Sequence, residues 1–429
     1  MNDMKECPVL PITDLLECII DNRGKSCPTE ETGFPLIATN CIKHSSIYPT
    51  FENIRYVSEE TLHTWFRAEL KPNDILFVNK GTPGRVCLVP DPVTFCAAQD
   101  MVALRVNEEK IYYRYLFAVL RSKFIQDTIA NFHVGIAIPH FKKSDMKYLK
   151  IPVPRMEIQK KIGDLYFELS AKIENNNMVS NELEEMVNTI FDYFFLQFEF
   201  PNEEGKPYVS SGGKMHNEPL LKREVPDSWY VAKLDDCIDT IIDHRGLTPK
   251  KLGGDWASEG VYALSAKIVK NNKLIGLEDA NIVSNEMYER WMPEKLQEGD
   301  ILMTSEAPLG EFYYLIGDVD YCLSQRLFAL RANKEICSST YLFYELYRGN
   351  GFSQIMGSQS GSTVFGIRQD ELRKIKILVP PKTLQDKFEE SVIDYIRKIR
   401  SNDKQNRELA RLRDFLLPLM LSGQLGFDD

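Results

Sequence analysis

Three acidic residues and a lysine in the first third of the sequence are spaced as in one type of nuclease site. Pro90-Asp91 is followed by Glu108-Glu109-Lys110. In such a site the carboxylates would hold Mg²⁺ and the lysine would assist the attacking water. The pattern is degenerate, and Glu108-Glu109 also fits a turn before a helix. The second half of the chain has no Pro-Asp counterpart, so a nuclease is kept only as an alternative interpretation.

Other kinds of chemical site have no matching pattern. A methyltransferase needs a glycine-rich cofactor loop and an Asn/Asp-Pro-Pro-aromatic element, whereas the only Pro-Pro, Pro380-Pro381, is followed by Lys382. No GxxxxGK[ST] loop for ATP phosphates occurs. The six histidines and nine cysteines are scattered without metal-ligand spacing. We therefore expect a non-catalytic chain that holds neither a metal nor a cofactor.

The composition is typical of a folded protein in a reducing compartment. Hydrophobic residues make up 43% and charged residues 27% of the 429 residues, which are ordinary values for a globular protein. The cysteines are odd in number and never spaced as CxxC. The N-terminus lacks a basic segment followed by an apolar run, and no stretch reaches the ~18 uncharged apolar residues of a membrane span. We expect a soluble, cytoplasmic protein without membrane contact.

The net charge of -10 argues against nucleic-acid binding only as an average. Residues 156–204 contain three bases and eleven acids, so much of the acidity lies in one stretch. Residues 121–155 contain seven Lys or Arg residues and only two Asp residues. A local basic patch is the usual electrostatic signature of phosphate binding. DNA therefore remains a candidate partner.

The sequence is an internal duplication, because one offset of 226 residues relates its two halves, as from Asp74 to Asp300. Before small insertions, Ile19-Ile20-Asp21-Asn22-Arg23-Gly24 recurs as Ile241-Ile242-Asp243-His244-Arg245-Gly246. The pairs at the common offset include Asp74-Ile75-Leu76 with Asp300-Ile301-Leu302, Ala103-Leu104-Arg105 with Ala329-Leu330-Arg331, and Gln159 with Gln385. A period this long makes each copy a whole domain with its appendage.

Each copy is predicted to be a mixed α/β (α+β) globule followed by a long helix. Short β-rich runs lie between Gly, Pro and Asn residues, and after a proline hinge the apolar residues recur every three or four positions. Two such apolar stripes can pair with each other; the alternative is that each helix packs on its own globule. The predicted segments are a first globule at 1–155, a first helix at 156–200, a linker at 201–225, a second globule at 226–381 and a second helix at 382–424.

This order of elements closely resembles the specificity subunit of type I restriction-modification systems, over nearly the whole chain. Its most specific segments are the stretch from Gly135 to Pro154 and its counterpart from Gly361 to Pro380. Val225-Pro226-Asp227-Ser228-Trp229 is similar to the start of a domain in that family. The first copy departs from this start, with Leu10-Pro11-Ile12 and no Trp, which leaves its N-terminal boundary open.

The resemblance implies that each globule is a target recognition domain for one half of a split, asymmetric site in double-stranded DNA. It also implies that the helices form an antiparallel coiled coil that separates the two domains. Two methyltransferase subunits would bind this chain and use S-adenosylmethionine to methylate adenine N6, and nuclease subunits that use ATP and Mg²⁺ are left open. An extruded adenine enters the methyltransferase, so the reading chain needs no catalytic site. The alternative from another class is a coiled-coil scaffold that binds proteins without reading DNA.

Candidate DNA contacts follow from side-chain chemistry and loop position. Arg and Lys pair with phosphate or guanine, and Gln or Asn with adenine. For each residue the alternative is a solvated surface role, and Gln325 has a structural alternative because Gln99 repeats it. The candidates are Arg23, Lys25, Lys80, Arg85, His140, Lys142 and Lys143 in the first copy, and Arg245, Lys250, Lys251, Gln325, Arg326, Thr363 and Arg368 in the second.

Overall fold

The computed structural model describes residues 7–22, 26–132, 139–358 and 365–426. The chain forms two compact units. Unit 1 consists of residues 1–178 and 404–429, and unit 2 consists of residues 179–403. These units divide both long helices, whereas the limits drawn from the sequence keep each helix whole. Among the described helices, none combines the length and the apolar character that a membrane span needs.

Unit 1 is built on a four-stranded sheet, a three-stranded sheet and one further strand pair. Its strands are β1 (Val9–Pro11), β2 (Leu16–Asp21), β3 (Phe34–Ile37), β4 (Arg55–Val57), β5 (Ile75–Val78), β6 (Val86–Leu88), β7 (Cys96–Ala97), β8 (Met101–Val106) and β9 (Lys150–Pro152). The sheets have the strand orders β2-β8-β5-β6, β4-β3-β7 and β1-β9. Its helices are α1 (Glu59–Trp65), α2 (Tyr113–Arg121), α3 (Lys123–Phe132) and the long α4 (Met156–Phe191), with 3-10 turns at Ile12–Leu15, Thr39–Cys41 and Lys143–Tyr148.

Unit 2 repeats this plan with two added hairpins. Its strands are β10 (Met215–Glu218), β11 (Arg223–Pro226), β12 (Tyr230–Lys233), β13 (Ile238–Asp243), β14 (Val261–Leu264), β15 (Val269–Lys270), β16 (Lys273–Leu274), β17 (Ile282–Val283), β18 (Ile301–Thr304), β19 (Phe312–Tyr314), β20 (Tyr321–Leu323), β21 (Leu327–Ala332) and β22 (Lys376–Val379). The sheets β13-β21-β18-β19, β17-β14-β20 and β12-β22 correspond to those of unit 1, while β10-β11 and β15-β16 are additions. Its helices are α5 (Leu234–Cys237), α6 (Asn285–Trp291), α7 (Ser339–Tyr347), α8 (Asn350–Gly357), α9 (Gln369–Leu372) and the long α10 (Lys382–Leu421), with 3-10 turns at Pro249–Leu252 and Leu277–Asp279 and a π turn at Asp192–Leu196. The predicted duplication and mixed fold class are confirmed.

A buried ion pair ties the two central strands of each four-stranded sheet together. In unit 1, Arg105 Nε and Nη2 donate to the two carboxylate oxygens of Asp74 at 2.9 and 2.8 Å. In unit 2, Arg331 binds Asp300 through the same two atoms at 2.9 and 2.8 Å. Both carboxylates are 1% exposed, and removal of one partner of such a pair costs about 3–5 kcal/mol. The repeated Asp-Ile-Leu and Ala-Leu-Arg motifs are therefore scaffold.

A buried glutamine at the start of each long helix joins that helix to its globule. Gln159 accepts from the backbone N–H of Tyr112 at 2.8 Å and donates to the carbonyls of Pro154 and Lys110 at 2.9 and 3.3 Å. Gln385 makes the same three bonds, to the Ser338 N–H at 2.7 Å and to the carbonyls of Pro380 and Ile336 at 2.8 and 3.0 Å. One side chain in each unit thus satisfies three backbone groups.

The two long helices pair antiparallel within unit 1. Tyr166 of α4 and Leu417 of α10 are buried in the same apolar cluster. Asn176 Nδ2 donates to Asn406 Oδ1 at 2.9 Å, whereas Arg413 Nη1 donates to Ser170 Oγ at 3.3 Å. Positions in α4 fall as positions in α10 rise, which is the antiparallel order.

The same order holds within unit 2. Asn402 Nδ2 donates to Ser180 Oγ at 3.1 Å, and the rings of Phe191 and Phe388 lie 5.9 Å apart. Polar residues thus meet where each apolar stripe is interrupted. The predicted pairing of the helices is confirmed inside each unit, and packing of each helix on its own globule alone is not what the structure has.

The segment predicted as a linker contains ordered structure that belongs to unit 2. Strands β10 and β11 form an antiparallel hairpin. The Phe200 ring stacks on Tyr208 at 4.6 Å and on Trp229 at 5.6 Å between centroids. The Gly/Ser-rich composition conceals this aromatic stack, because two of its three rings, Phe200 and Trp229, lie outside the segment in the sequence.

We predict that Gln159→Leu and Gln385→Leu each lower the free energy of unfolding of their own unit by about 2–4 kcal/mol. Three backbone groups, buried or partly buried, lose their partner in each variant, and an unsatisfied buried group costs about 1–3 kcal/mol. Urea-dependent hydrogen exchange, followed separately in the peptides of each unit, measures the effect. Gln424→Leu, at an exposed position, is the control, and equal effects of all three changes would contradict the assignment.

The carboxyl group of Glu345 lies in the core of unit 2 and makes the stability of this unit depend on pH. Burial raises the pKa of Glu345 to about 8, against the smaller opposing effects of the Gly351 N–H and the Arg223 charge. A raised pKa means that the folded state binds the proton more tightly than the unfolded chain does. The stabilisation is therefore complete below the unfolded pKa of 4.5 and is lost as the pH rises towards 8. Val119 occupies the corresponding position of unit 1.

We expect the free energy of unfolding of unit 2 to fall by up to about 1.4 kcal/mol per pH unit through this window. Glu345→Gln keeps an oxygen that accepts from the Gly351 N–H and cannot ionise, so this slope should flatten. Urea unfolding of both proteins at a series of pH values between 5 and 8 compares the slopes. Parallel slopes would show that Glu345 is not the titrating group.

Candidate nucleic-acid interface

Sheet topology brings distant loops of unit 1 to one edge of its four-stranded sheet. Strand β8 runs antiparallel to both β2 and β5, with Asp21 opposite Val102 and Val78 opposite Met101. The ends of β2 and β5 and the start of β8 therefore lie at the same edge. Strand β9 pairs with β1, which leads into the start of β2, so it lies towards the opposite edge. We call the first edge the loop edge of unit 1.

Contacts within unit 1 add the segment after α3 to this loop edge. Lys80 forms a backbone bridge with His140, and the Phe141 N–H donates to the Asn79 carbonyl at 2.8 Å. Lys143 Nζ lies 3.4 Å from Asp21 Oδ2, at the end of β2. Lys80, His140 and Lys143, which are separated by up to 63 residues in the sequence, are thus neighbours. All three are exposed.

Unit 2 has an equivalent loop edge, where β13 and β18 end and β21 begins, with Asp243 opposite Phe328 and Thr304 opposite Leu327. Arg326 Nε lies 3.2 Å from Glu306 Oε1, and Glu306 forms a bridge with Gly366. Arg245 donates from Nε and Nη2 to the two oxygens of Asp243 at 2.8 Å each. Its guanidinium lies 4.2 Å from the centre of the Phe328 ring, so Arg245 is held in place by its own unit.

A glycine in each β-hairpin allows the loop to close beside this edge. Gly84 and Gly310 have φ values of +90° and +81°, which side chains with a Cβ rarely adopt. Their N–H groups donate to the carbonyls of Val78 and Thr304 at 3.0 and 3.2 Å. The repeated glycine therefore has a backbone role, which leaves its neighbours free to differ between the copies.

The remaining candidates are placed as follows. Lys142 is exposed beside Lys143, Gln325 is exposed beside Arg326, and Arg368 is exposed next to Ile367, whose N–H donates to the Ser305 carbonyl at 3.0 Å. Lys250 and Lys251 are exposed on the 3-10 turn that follows Arg245. Arg85 is half-buried, near His44, whose pKa is lowered by burial and by nearby arginine charges that include Arg85. Arg23, Lys25 and Thr363 lie outside the described residues. The role of each candidate as a DNA contact remains a prediction.

Two polar side chains stand where β2 and β13 lead into the loop edges. Asn22 Nδ2 donates to the Ala97 carbonyl at 2.6 Å. At the equivalent place in unit 2, burial lowers the pKa of His244, while the Asp243 charge acts in the opposite direction. The His244 imidazole is therefore neutral near pH 7, and it is not a permanent cation of the loop edge.

The acids of the loop edges are not among the residues predicted from the sequence. Asp21, Asp243 and Glu306 each hold one of the predicted cations. The aromatic ring of Phe365 was also passed over; it is 55% exposed and precedes Gly366 directly. The offset of 226 residues could have identified Glu306 and Phe365, because it aligns them with Lys80 and Pro139, which are of a different residue type.

The residues of the alternative nuclease interpretation do not form a recognisable metal site. Asp91 is exposed after β6, and Lys110 Nζ donates to the Asp14 carbonyl at 2.9 Å. Over the described ranges, no three His, Cys, Asp or Glu residues are grouped so that they could hold a metal ion. The geometry therefore gives the nuclease interpretation no support.

Comparison with known proteins gives the same family on both repeats. The family described as the type I restriction modification DNA specificity domain matches residues 4–185 and 226–411. The chain is 25% identical over 363 residues to the type I restriction enzyme MjaIX specificity subunit of Methanocaldococcus jannaschii, over 83% of this chain and 78% of that protein. It is 25% identical over 428 residues to the putative MjaX specificity subunit of the same organism, over 97% and 93% of the two chains.

A solved structure has a similar fold. The S subunit of a type I restriction-modification system from M. genitalium has a TM-score of 0.62 at 16% identity, over 98% of this chain and 96% of that chain. The family match falls once on each repeat and covers most of the sequence. This chain therefore belongs to the type I restriction-modification DNA specificity family.

Proposed function

We propose that this chain is the non-catalytic specificity subunit of a type I restriction-modification complex and reads a bipartite, asymmetric site in double-stranded DNA. The observation that carries the proposal is the loop edge, which occurs in both units and gathers predicted cations from two described loops in unit 1 and three in unit 2. Each edge would read one half of the site. A catalytic residue is not required of either edge, since modification takes place in a partner subunit.

The chemistry of the loop edges divides into two roles. Exposed lysines such as Lys80, Lys142 and Lys143 suit phosphate oxygens, which provide affinity and register without sequence information. Arginines held by carboxylates, such as Arg245 and Arg326, are fixed before binding and suit the directed hydrogen bonds of base edges. Pre-positioning reduces the conformational entropy lost on binding.

Partner subunits complete the proposed activity. Two methyltransferase subunits, each carrying S-adenosylmethionine, would bind this chain and methylate adenine N6. Nuclease subunits that use ATP and Mg²⁺ would join the same assembly. Methylation in a partner requires that the reader hold DNA beside the extruded adenine. The scaffold alternative predicts instead that sequence-specific methylation does not depend on the loop-edge residues.

We predict that the double change Lys142→Gln and Lys143→Gln weakens DNA binding of the intact complex and reduces its salt dependence. Each lost phosphate contact lowers the slope of log affinity against log salt by about 0.9. Binding of the complex to its methylated-motif duplex and to random duplex, measured between 50 and 200 mM salt, gives both slopes. Affinity for the two duplexes should fall together, because phosphate contacts carry no sequence information.

Lys110→Gln combined with Lys150→Gln is the matched control for charge. Both lysines are exposed, and they follow β8 and begin β9, at the edge of the sheet away from the loops. Their loss should leave the salt slope nearly unchanged. Equal loss of affinity in the two double variants would show a general charge effect and remove the loop edge of unit 1 as a DNA contact.

A second prediction is that each unit reads one half of the DNA site independently of the other. Exchange of residues 11–155 for the same region of a relative should change one half of the methylated motif, because the loop edge of unit 1 is built within that region. Sequencing of N6-methyladenine in genomic DNA reads both halves at once. Simultaneous change of both halves would contradict independent reading by the two units.

A further inference from the structure

Three backbone interactions establish that positions of the two loop edges are spatially equivalent. The Asn79 N–H donates to the Asp100 carbonyl at 3.0 Å, as the Ser305 N–H does to the Arg326 carbonyl at 2.9 Å. The Phe141 N–H donates to Asn79 at 2.8 Å, as the Ile367 N–H does to Ser305 at 3.0 Å. The bridge between Lys80 and His140 matches the bridge between Glu306 and Gly366. These backbone hydrogen bonds and bridges of the edge are therefore kept in both copies, although the positive φ of Arg326 has no counterpart at Asp100.

The charges on this common backbone are inverted between the two units. Unit 1 carries a base at Lys80 in the loop after β5 and an acid at Asp100 before β8. Unit 2 carries an acid at Glu306 and a base at Arg326 in the corresponding places. Glu306 and Arg326 are 41% and 51% exposed at their side chains, and Lys80 is exposed while Asp100 is half-exposed. All four groups are accessible to a ligand at the edge.

The geometry in unit 2 prepares Arg326 for a directed contact. Its Nε faces Glu306 Oε1 at 3.2 Å, which leaves the terminal Nη groups to donate elsewhere. Its backbone φ is +63°, a left-handed conformation that is uncommon for residues other than glycine and is concentrated at functional sites. Gly366 permits this arrangement, since a Cβ there would lie 2.9 Å from Glu306 Cβ and from the Ser305 carbonyl oxygen.

We propose that Arg326, positioned by Glu306, selects guanine at one position of the half-site read by unit 2, and that Asp100 makes unit 1 select a base with an amino donor at the equivalent position. Two parallel N–H donors of arginine match the O6 and N7 acceptors of guanine, whereas a carboxylate accepts from the amino groups of cytosine or adenine. The inverted charges would thus make the two half-sites chemically different. This inference rests on the proposed function and adds the base chemistry of each half-site to it.

The test replaces single residues in the chain within its own cells and maps N6-methyladenine in genomic DNA. In Arg326→Gln cells, preference for guanine at one position of one half-site should fall roughly 5- to 150-fold, the range for loss of a bidentate contact. Adenine should gain at that position, because glutamine pairs with adenine. The other half-site should stay as in the wild type. An unchanged motif in a folded Arg326→Gln protein would overturn the inference for unit 2.

Arg326→Lys and Arg397→Gln separate base reading from charge. Arg397 is an exposed arginine of α10 whose Nη2 lies 3.8 Å from Glu298 Oε1 and whose Nη1 lies 3.6 Å from Asp394 Oδ1, so it matches Arg326 in charge, in exposure and in having a carboxylate neighbour. Arg397→Gln should leave the motif unchanged, and Arg326→Lys should weaken the preference for guanine at the same position. Full recovery of the motif and of methylation by lysine, with uniform loss in Arg326→Gln, would identify a phosphate contact and overturn the proposal.

For unit 1, Asp100→Asn should shift the equivalent position of the other half-site towards adenine, because an amide pairs with both polar groups of adenine. The exchange Lys80→Glu with Asp100→Arg should create a preference for guanine there. A half-site that neither variant changes would overturn the assignment of Asp100. Failure of the proposed function itself has a different signature, namely that deletion of the whole gene leaves every methylated motif in place.

Discussion

The buried pairing of Asp74 with Arg105, and of Asp300 with Arg331, is the interaction on which each recognition unit depends. The ion pair joins the start of β5 to β8 in unit 1, and the start of β18 to β21 in unit 2. It thereby fixes the register of the two strands and the position of the other end of β5 or β18. That other end is the loop edge. The start of this four-residue strand therefore contributes stability, and its other end carries the residues that are proposed to read DNA. Substitutions in the loop change what the edge presents without disturbing the ion pair that orders the sheet.

The repeat pattern was sufficient to predict the fold class, the duplication and the pairing of the long helices. Gln159 and Gln385 recur in the sequence because three backbone groups in each unit require the same side chain. The neighbours within an edge could not be read from the sequence, since His140 reaches Lys80 only through the bridge formed in the folded unit. Glu306 was missed for a physical reason. A search for residues that bind an anion does not select the acid that orients the cation.

Composition also concealed structure in the segment that joins the repeats. Its glycines and serines are typical of a flexible linker, yet the rings of Phe200, Tyr208 and Trp229 stack around it. Apolar area buried by a few large rings is enough to order a short polar segment. In the pair of long helices, by contrast, polar residues specify the structure of an otherwise apolar contact. Asn402 and Ser180 interrupt an apolar stripe, and their hydrogen bond favours one register of the two helices over its alternatives.

Each compact unit takes a helical segment from both copies of the duplication. Leu417 and Met420 from the end of the chain are part of the core of unit 1, and Val187 and Phe191 from the first copy are part of the core of unit 2. A protein made of one copy alone would lack one of these segments and would expose the apolar surface that the segment covers. A second molecule of the half-length protein could supply it by domain exchange. Folding and dimerisation of such a half would then be a single equilibrium, with a melting temperature that rises with protein concentration.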